Sequence, residues 1–142
     1  MTLTVTPVCN FGEKAKNFKL ISTENVIKSL EEIKGTNGTL VMFICNHCPY
    51  VKATIKDIVE DVKSLEILGI NAVAIMSNDV KNYPDDSFEN MIKFSKLYNF
   101  SFPYLHDSTQ NVAKDYNAVC TPDFFGYNKN LELQYRGRIR EL

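Results

Sequence analysis

No apolar run in this chain approaches the length of a membrane span. The opening segment Met1-Thr2-Leu3-Thr4-Val5-Thr6-Pro7 also lacks the basic stretch followed by an apolar one that marks a secretory signal. A cytoplasmic protein is the expectation. An excess of either charge is missing too, with 16 Lys plus Arg against 17 Asp plus Glu. Nothing therefore resembles the basic footprint of a nucleic-acid or anionic-membrane binder, and small-molecule or thiol partners fit better. Internal repeats, low-complexity tracts and linkers are absent, so residues 1–142 read as a single domain long enough to bury a real core. Cysteine is sparse. The chain has four, Cys9, Cys45, Cys48 and Cys120, and in a reducing compartment a close pair is more often catalytic or metal-binding than structural.

The close pair sits where an apolar run meets a helix start. Leu40 to Ile44 has the length and composition of a buried strand, after turn residues between Gly35 and Thr39. After Cys48 the hydrophobic period changes. Pro49 suits the first helical position, where its missing N–H costs nothing, so Cys48 falls at or next to the N-cap. A thiol there meets unpaired backbone donors and the positive end of the helix dipole, both of which favour thiolate.

From Pro49 to Leu68 apolar residues recur at helical spacing through Val51, Ile55, Ile58, Val59, Val62 and Leu65, and Gly69 stops the pattern. Ile70 to Met76 is a second apolar run. Strand, helix and strand with a right-handed crossover make a parallel pair, an α/β signature. Before this unit, Phe18 to Ile21 reads as a short strand and Val26 to Ile33 as a short helical piece. After it, Asp86 with Glu89 reads as a capping box opening a helix to Tyr98, its inner face carrying Phe88, Met91, Ile92 and Ser95. Asp107 with Gln110 repeats that logic for a shorter helix to Tyr116. Phe100 to Leu105 reads as an edge strand because Pro103 cannot donate to a central ladder. Asp123 to Tyr127 and Leu131 to Tyr135 read as an antiparallel hairpin, which makes the sheet mixed. Phe94, Tyr98, Phe100, Phe102 and Tyr104 read as packing. Arg136, Arg138 and Arg140 alternate onto one face, expected to be solvated.

Several stretches together resemble the thioredoxin-fold superfamily, in its redoxin branch of peroxiredoxin-like proteins related to alkyl hydroperoxide reductase. They are Gly12-Glu13-Lys14-Ala15-Lys16-Asn17-Phe18-Lys19-Leu20, Cys45-Asn46-His47-Cys48-Pro49-Tyr50-Val51, Ser77-Asn78-Asp79 and Tyr83-Pro84-Asp85-Asp86-Ser87-Phe88. To these are added Asp107 to Tyr116, Cys120-Thr121-Pro122-Asp123-Phe124-Phe125 and Tyr135-Arg136-Gly137-Arg138. The resemblance implies a three-layer α/β fold, a central mixed sheet flanked by helices. It also implies a cis bond between Thr121 and Pro122 that lies against the active-site cysteine. Thr121, Pro122 and Pro49 would then shape the surface that receives an extended thiol partner. The fold normally ends in a further helix, for which the sequence after Arg140 leaves no room. A shorter version of the fold, or a homodimer covering the exposed face, would account for that.

By the same resemblance the nucleophile opens the helix after the first core strand, the place of Cys48. A standard thioredoxin pair would put its second cysteine at position 51, which holds Val51. Peroxiredoxins place a threonine or serine three residues before the nucleophile, where this chain has Cys45, and an arginine nearby in space. Arg136 and its neighbours come only beyond the hairpin. Cys45 could instead resolve a sulfenic acid or mixed disulfide on Cys48. Cys120, two residues before Pro122, is either a competing resolver or a small buried hydrophobe. His47 either favours thiolate and shuttles protons or is an exposed turn residue. Cys9 and His106 are expected to have no redox role. The expected function is thiol-dependent oxidoreduction without a cofactor, with disulfide exchange slightly favoured over peroxide reduction. Two alternatives stay open: soft-metal binding of copper or zinc by Cys45, His47 and Cys48, and a binding module whose cysteines are inert.

Overall fold

The computed structural model describes residues 11–118 and 121–137. Cys9, Cys120, Arg138 and Arg140 lie outside the described residues, as does the stretch on which the expectation about a final helix falls.

The centre of the sheet is β3, Gly38–Phe43, in which all six residues are buried. A strand covered on both faces needs apolar side chains in both directions, which explains a continuous rather than alternating run. It is followed by α2, Pro49–Ile67, and by β4, Ile70–Met76, which pairs with β3 in parallel from Gly38↔Ile70 to Phe43↔Ile75. Gly69, at φ +79°, makes the turn between α2 and β4 in the left-handed region that glycine tolerates. On the other side β6, Asp123–Asn128, runs antiparallel to β3, and β7, Leu133–Gly137, closes that edge as the expected hairpin.

The remaining strands are β1, Lys19–Ser22, β2, Ile27–Ser29, and β5, Tyr104–His106. The order across the mixed sheet is β2-β1-β5-β4-β3-β6-β7. Because strand side chains alternate, β3 divides its residues between two cores. Leu40 and Met42 pack under α2 and α3, Phe88–Leu97, against Val51, Ile55, Ile58, Met91 and Phe94. Val41 and Phe43 pack on the opposite face with Leu30 and Ile33 of α1, Leu30–Ile33, and with Val112 of α4, Asn111–Asp115, and the adjoining Tyr116. No described helix is long and apolar enough to cross a membrane.

Four sequence expectations are corrected. Only Leu30–Ile33 of the Val26 to Ile33 stretch is helical; Ile27–Ser29 is a strand paired with β1, and Ser29 then caps α1 in a capping box with Glu32. β5 is not an edge, since it lies between β1 and β4. Pro103 precedes the strand and contributes its carbonyl, which accepts from the Ala74 N–H at 2.9 Å, so its missing donor breaks no ladder. Helix α3 opens at Phe88, capped by the Ser87 hydroxyl rather than by Asp86. Arg136 is not on a solvated face. Its side chain is 6% exposed and paired with Asp123 at 3.1 Å, with its guanidinium 4.6 Å from the centre of the Phe125 ring.

Candidate active site

Strand β3 delivers the cysteine motif to the end of the sheet. Beyond Phe43 the Ile44 N–H still bonds Ile75, after which Cys45, Asn46 and His47 turn the chain into α2. Cys48 is the N-cap of α2 and Pro49 opens it, as the helix-start pattern predicts. The Cys48 side chain makes no capping hydrogen bond. Its sulfur instead lies 3.6 Å from the Thr121 carbonyl oxygen, to which the thiol donates.

Thr121 serves both sulfurs. Its hydroxyl oxygen is 3.3 Å from Cys45 Sγ, and the bond from Thr121 to Pro122 is cis. The two cysteines are free thiols in unlike settings. Cys48 is half-buried, whereas Cys45 is 1% exposed. Burial pushes the Cys45 thiol up to about 11, helped by the negative charge of Asp86 and by Cys48, against a lowering contribution from the Thr121 hydrogen bond. Cys45 therefore rests protonated at neutral pH.

Beneath the motif lies Asp86, the last residue of the 3-10 turn Pro84–Asp86 and fully buried. Its Oδ1 accepts the Asn46 backbone N–H at 2.7 Å. Its Oδ2 accepts from Asn78 Nδ2 at 2.9 Å and pairs with His47 Nδ1 at 2.5 Å. Asn46 is itself clamped: Nδ2 donates to the Asp85 carbonyl at 3.1 Å, and Oδ1 accepts from the Tyr104 hydroxyl at 2.7 Å. Burial, with the charges of Asp86 and Cys45, holds that phenol well above its ordinary range, so it stays a donor. The His47 ring stacks on Tyr83 with centroids 4.9 Å apart and planes 8° from parallel.

The structure thus brings Cys45, His47, Cys48, Pro49, Thr121 and Pro122 to one end of the sheet. An open groove of about 280 Å³ lies beside Thr121, lined in part by Ser77, Asn78, Gln110 and Lys114. Arg136 donates to Asp123, just after Pro122, and to the Asn117 carbonyl before it at 2.6 Å. His106, expected to be uninvolved, has a buried Nε2 that makes no hydrogen bond among the described residues, and burial lowers its basicity. The aromatic group around Phe94, Phe100 and Tyr104 is core packing. Sequence reasoning missed Asp86, Asn46, Tyr83 and Tyr104. The available signal for Asp86 was Ser87, an equally good N-cap one residue later, which frees the carboxylate for another use.

A metal at this site would draw on Cys45, His47 and Asp86, whose donor atoms lie within 4.8 Å of one another. That set exchanges the expected Cys48 for Asp86. The 2.5 Å between His47 Nδ1 and Asp86 Oδ2 is a hydrogen-bond length, whereas two ligands on one tetrahedral zinc stand about 3.3 Å apart. Both carboxylate oxygens already accept from N–H groups. The residues fit a proton-sharing cluster and do not fit a metal in this arrangement.

The mixed sheet flanked by helices, with free cysteines at a helix start beside a cis X-Pro bond, defines a redox protein of the thioredoxin-like class. Residues 11–142 match the AhpC/TSA family, and the chain belongs to it. Among solved structures it is similar to a conserved protein from Geobacillus kaustophilus described as uncharacterized, at 40% identity and TM-score 0.93, covering 96% of this chain and 72% of that one. A hypothetical protein from Sinorhizobium meliloti is 35% identical with TM-score 0.91, covering 95% and 74%. The thioredoxin domain of a thiol-disulfide oxidoreductase from Bacteroides vulgatus shares the fold at 14% identity and TM-score 0.74, covering 91% and 89%. No curated protein matches the chain significantly.

Proposed function

We propose that the protein is a thiol-disulfide oxidoreductase in which Cys48 is the nucleophile and Cys45 the resolving thiol. The observation that carries this is the contrast between two sulfurs sharing one partner residue. Cys48 is half-buried at the N-cap of α2, just before Pro49, while Cys45 is buried and protonated behind it. The Cys48 thiolate attacks one sulfur of a disulfide R–S–S–R, forming Cys48–S–S–R and expelling one thiolate. Cys45 then attacks Cys48 Sγ, closing a Cys45–Cys48 disulfide and expelling the second thiolate. Two electrons pass from the cysteines to the substrate. A partner thiol would dock on the backbone at Thr121 and Pro122 and beside Pro49. A reducing compartment such as the cytoplasm suits this chemistry, because both thiols there are kept ready for substrate.

Membership of the AhpC/TSA family favours a second reading, reduction of a peroxide through a sulfenic acid on Cys48. Two features weigh against efficient peroxidase action: a buried thiol at position 45, and an Arg136 already committed to Asp123 and Asn117. One equivalent of a disulfide or of hydrogen peroxide, followed by mass spectrometry of the product, separates the readings. The disulfide is expected to react faster in wild type and to leave a Cys45–Cys48 link. Cys48→Ser abolishes the reaction, and Cys45→Ser arrests it at the mixed disulfide. An unchanged reaction in Cys48→Ser sinks the proposal, and a Cys48–Cys120 link reassigns the resolver.

A further inference from the structure

We infer that Asp86 and His47 form a proton-accepting pair for Cys45: Asp86 is the positioning residue that fixes His47, and the pair takes the Cys45 proton as that thiol attacks the bond at Cys48. The inference deepens the reading of Cys48 as nucleophile and Cys45 as resolver, and rests on it.

The need for such a pair follows from Cys45 itself. A thiol 1% exposed is shielded from solvent base, yet only a thiolate attacks a disulfide. Its sulfur lies within 4.8 Å of both a His47 ring nitrogen and an Asp86 oxygen. Distances between catalytic groups are often this loose before substrate is bound and tighten afterwards. Asp86 reaches the motif from a different part of the chain, and its carboxylate bonds go to Asn46, His47 and Asn78 rather than to the helix that follows it. The carboxylate is fully buried and its partners all hold or adjoin the cysteine loop, which places its charge beside the Cys45 thiol.

The geometry also orients the ring. Nδ1 is bound to Asp86, the ring plane is fixed by Tyr83, and the side chain remains 29% exposed. Nε2, on the opposite side of the ring, makes no hydrogen bond among the described residues. One end of the imidazole is therefore tied down and the other left for exchange. Among the described residues, the other titratable groups around the pair are Cys48 on the motif, Tyr83 just before and Asp85 on the 3-10 turn, and Tyr104 on β5; Asn78 faces it without charge.

The step balances. Cys45 S–H and Cys48–S–S–R become Cys45–S–S–Cys48 and R–SH. The proton leaves Cys45 for the Asp86–His47 pair, the new S–S bond forms as the Cys48–S–R bond breaks, and the pair returns the proton to the departing thiolate.

A dinitrobenzoate-type aromatic disulfide with a coloured thiol product resolves the two steps in the full chain, since Cys48 releases the first equivalent and Cys45 the second. The expected result is that Asp86→Asn lowers the ratio of second-release to first-release rate by roughly 100-fold, the low end of what a general acid–base contributes. The pH profile of that ratio should also change shape, because the group that accepts the Cys45 proton is then lost. His47→Gln, at a partly exposed position, should do the same and carries the test if Asp86→Asn folds poorly. A wild-type ratio with a wild-type pH profile in both variants overturns the inference. A wild type whose first release survives Cys48→Ser overturns the functional reading instead, so the two failures are distinguishable.

Discussion

Asp86 and Asp107 are 0% and 1% exposed, and each stands where the chain is about to enter a helix. Asp107 spends its oxygens on that helix: Oδ1 accepts from the Val112 N–H at 3.4 Å, and Oδ2 from the Ala113 N–H at 3.0 Å and the Ser77 hydroxyl at 2.7 Å. Asp86 leaves the capping of α3 to Ser87 and turns its carboxylate toward the cysteine loop and Asn78. The divergence begins at the end of β4. Ser77 and Asn78 are consecutive, just beyond the last residue of β4. One reaches the carboxylate that serves α4, the other the carboxylate that serves the motif. A buried acid ahead of a helix is thus a cap only where no neighbour relieves it. Gln110 offers α4 no side-chain bond and sits at φ +66°, whereas Ser87 offers α3 a hydroxyl.

The comparison breaks if Asp107 matters to the chemistry. Asp107→Ala removes the acceptor of two helical N–H groups and of a part-buried hydroxyl, and should cost about 3 kcal/mol, combining a lost cap with unsatisfied donors. Urea unfolding reads the loss. The ratio of second to first thiol release, measured where the variant is still folded, should match wild type. A fall in that ratio as large as that expected for Asp86→Asn would erase the distinction between the two carboxylates.

A pH experiment sharpens it further. The Cys45 thiol is raised from 9.0 to about 11 in the folded protein, mainly by burial and next, among the raising causes, by Asp86. Since the folded value is the higher, the stabilisation linked to its protonation is complete below pH 9 and is lost as pH climbs through about 11. Cys45→Ala lacks this titration. Its stability deficit against wild type should therefore shrink by about 2 kcal/mol between pH 9 and 11. Taking the difference cancels the tyrosines and lysines that also titrate in alkali. Asp86→Asn should shrink this change and Asp107→Asn should leave it intact. The opposite ranking would place the charge felt by Cys45 on the wrong carboxylate.

What was legible in the sequence follows the same division between local and distant forces. The β3–α2–β4 unit could be read because its signals are local: a continuous apolar run, Pro49 after Cys48, a 3.6-residue period and Gly69. The hairpin of β6 and β7 carried alternation and a polar turn. β2 escaped because three residues, one of them exposed Ile27, carry no period; only pairing with β1 makes them a strand. β5 was misplaced because Pro103 lies one residue outside it. In the site, Cys45, Cys48, His47 and the Thr121–Pro122 pair were named from residue type and resemblance. Asp86 and Arg136 were not, since the cysteine-loop partners of Asp86 are 39 or 40 residues away along the chain and Asp123 is 13 residues from Arg136, and nothing local distinguishes a carboxylate that caps from one that holds a loop.

The smallest expected effect tests whether the division of labour between Asp86 and Ser87 is real. The Ser87 hydroxyl accepts from the Asn90 N–H at 3.2 Å, so Ser87→Ala should cost about 1 kcal/mol through loss of the cap. Thiol release should be unaffected provided Asp86 stays where it is. Asp86 has no freedom to replace the lost cap, because its oxygens hold Asn46, His47 and Asn78, and turning toward α3 would strand those donors in a buried site. A loss near 1 kcal/mol in urea unfolding with an unchanged ratio of second to first release meets the expectation. A near-zero loss accompanied by a slowed second release would mean that Asp86 had moved to cap the helix, and that the sequence pattern of a capping aspartate describes an accessible second state of this site.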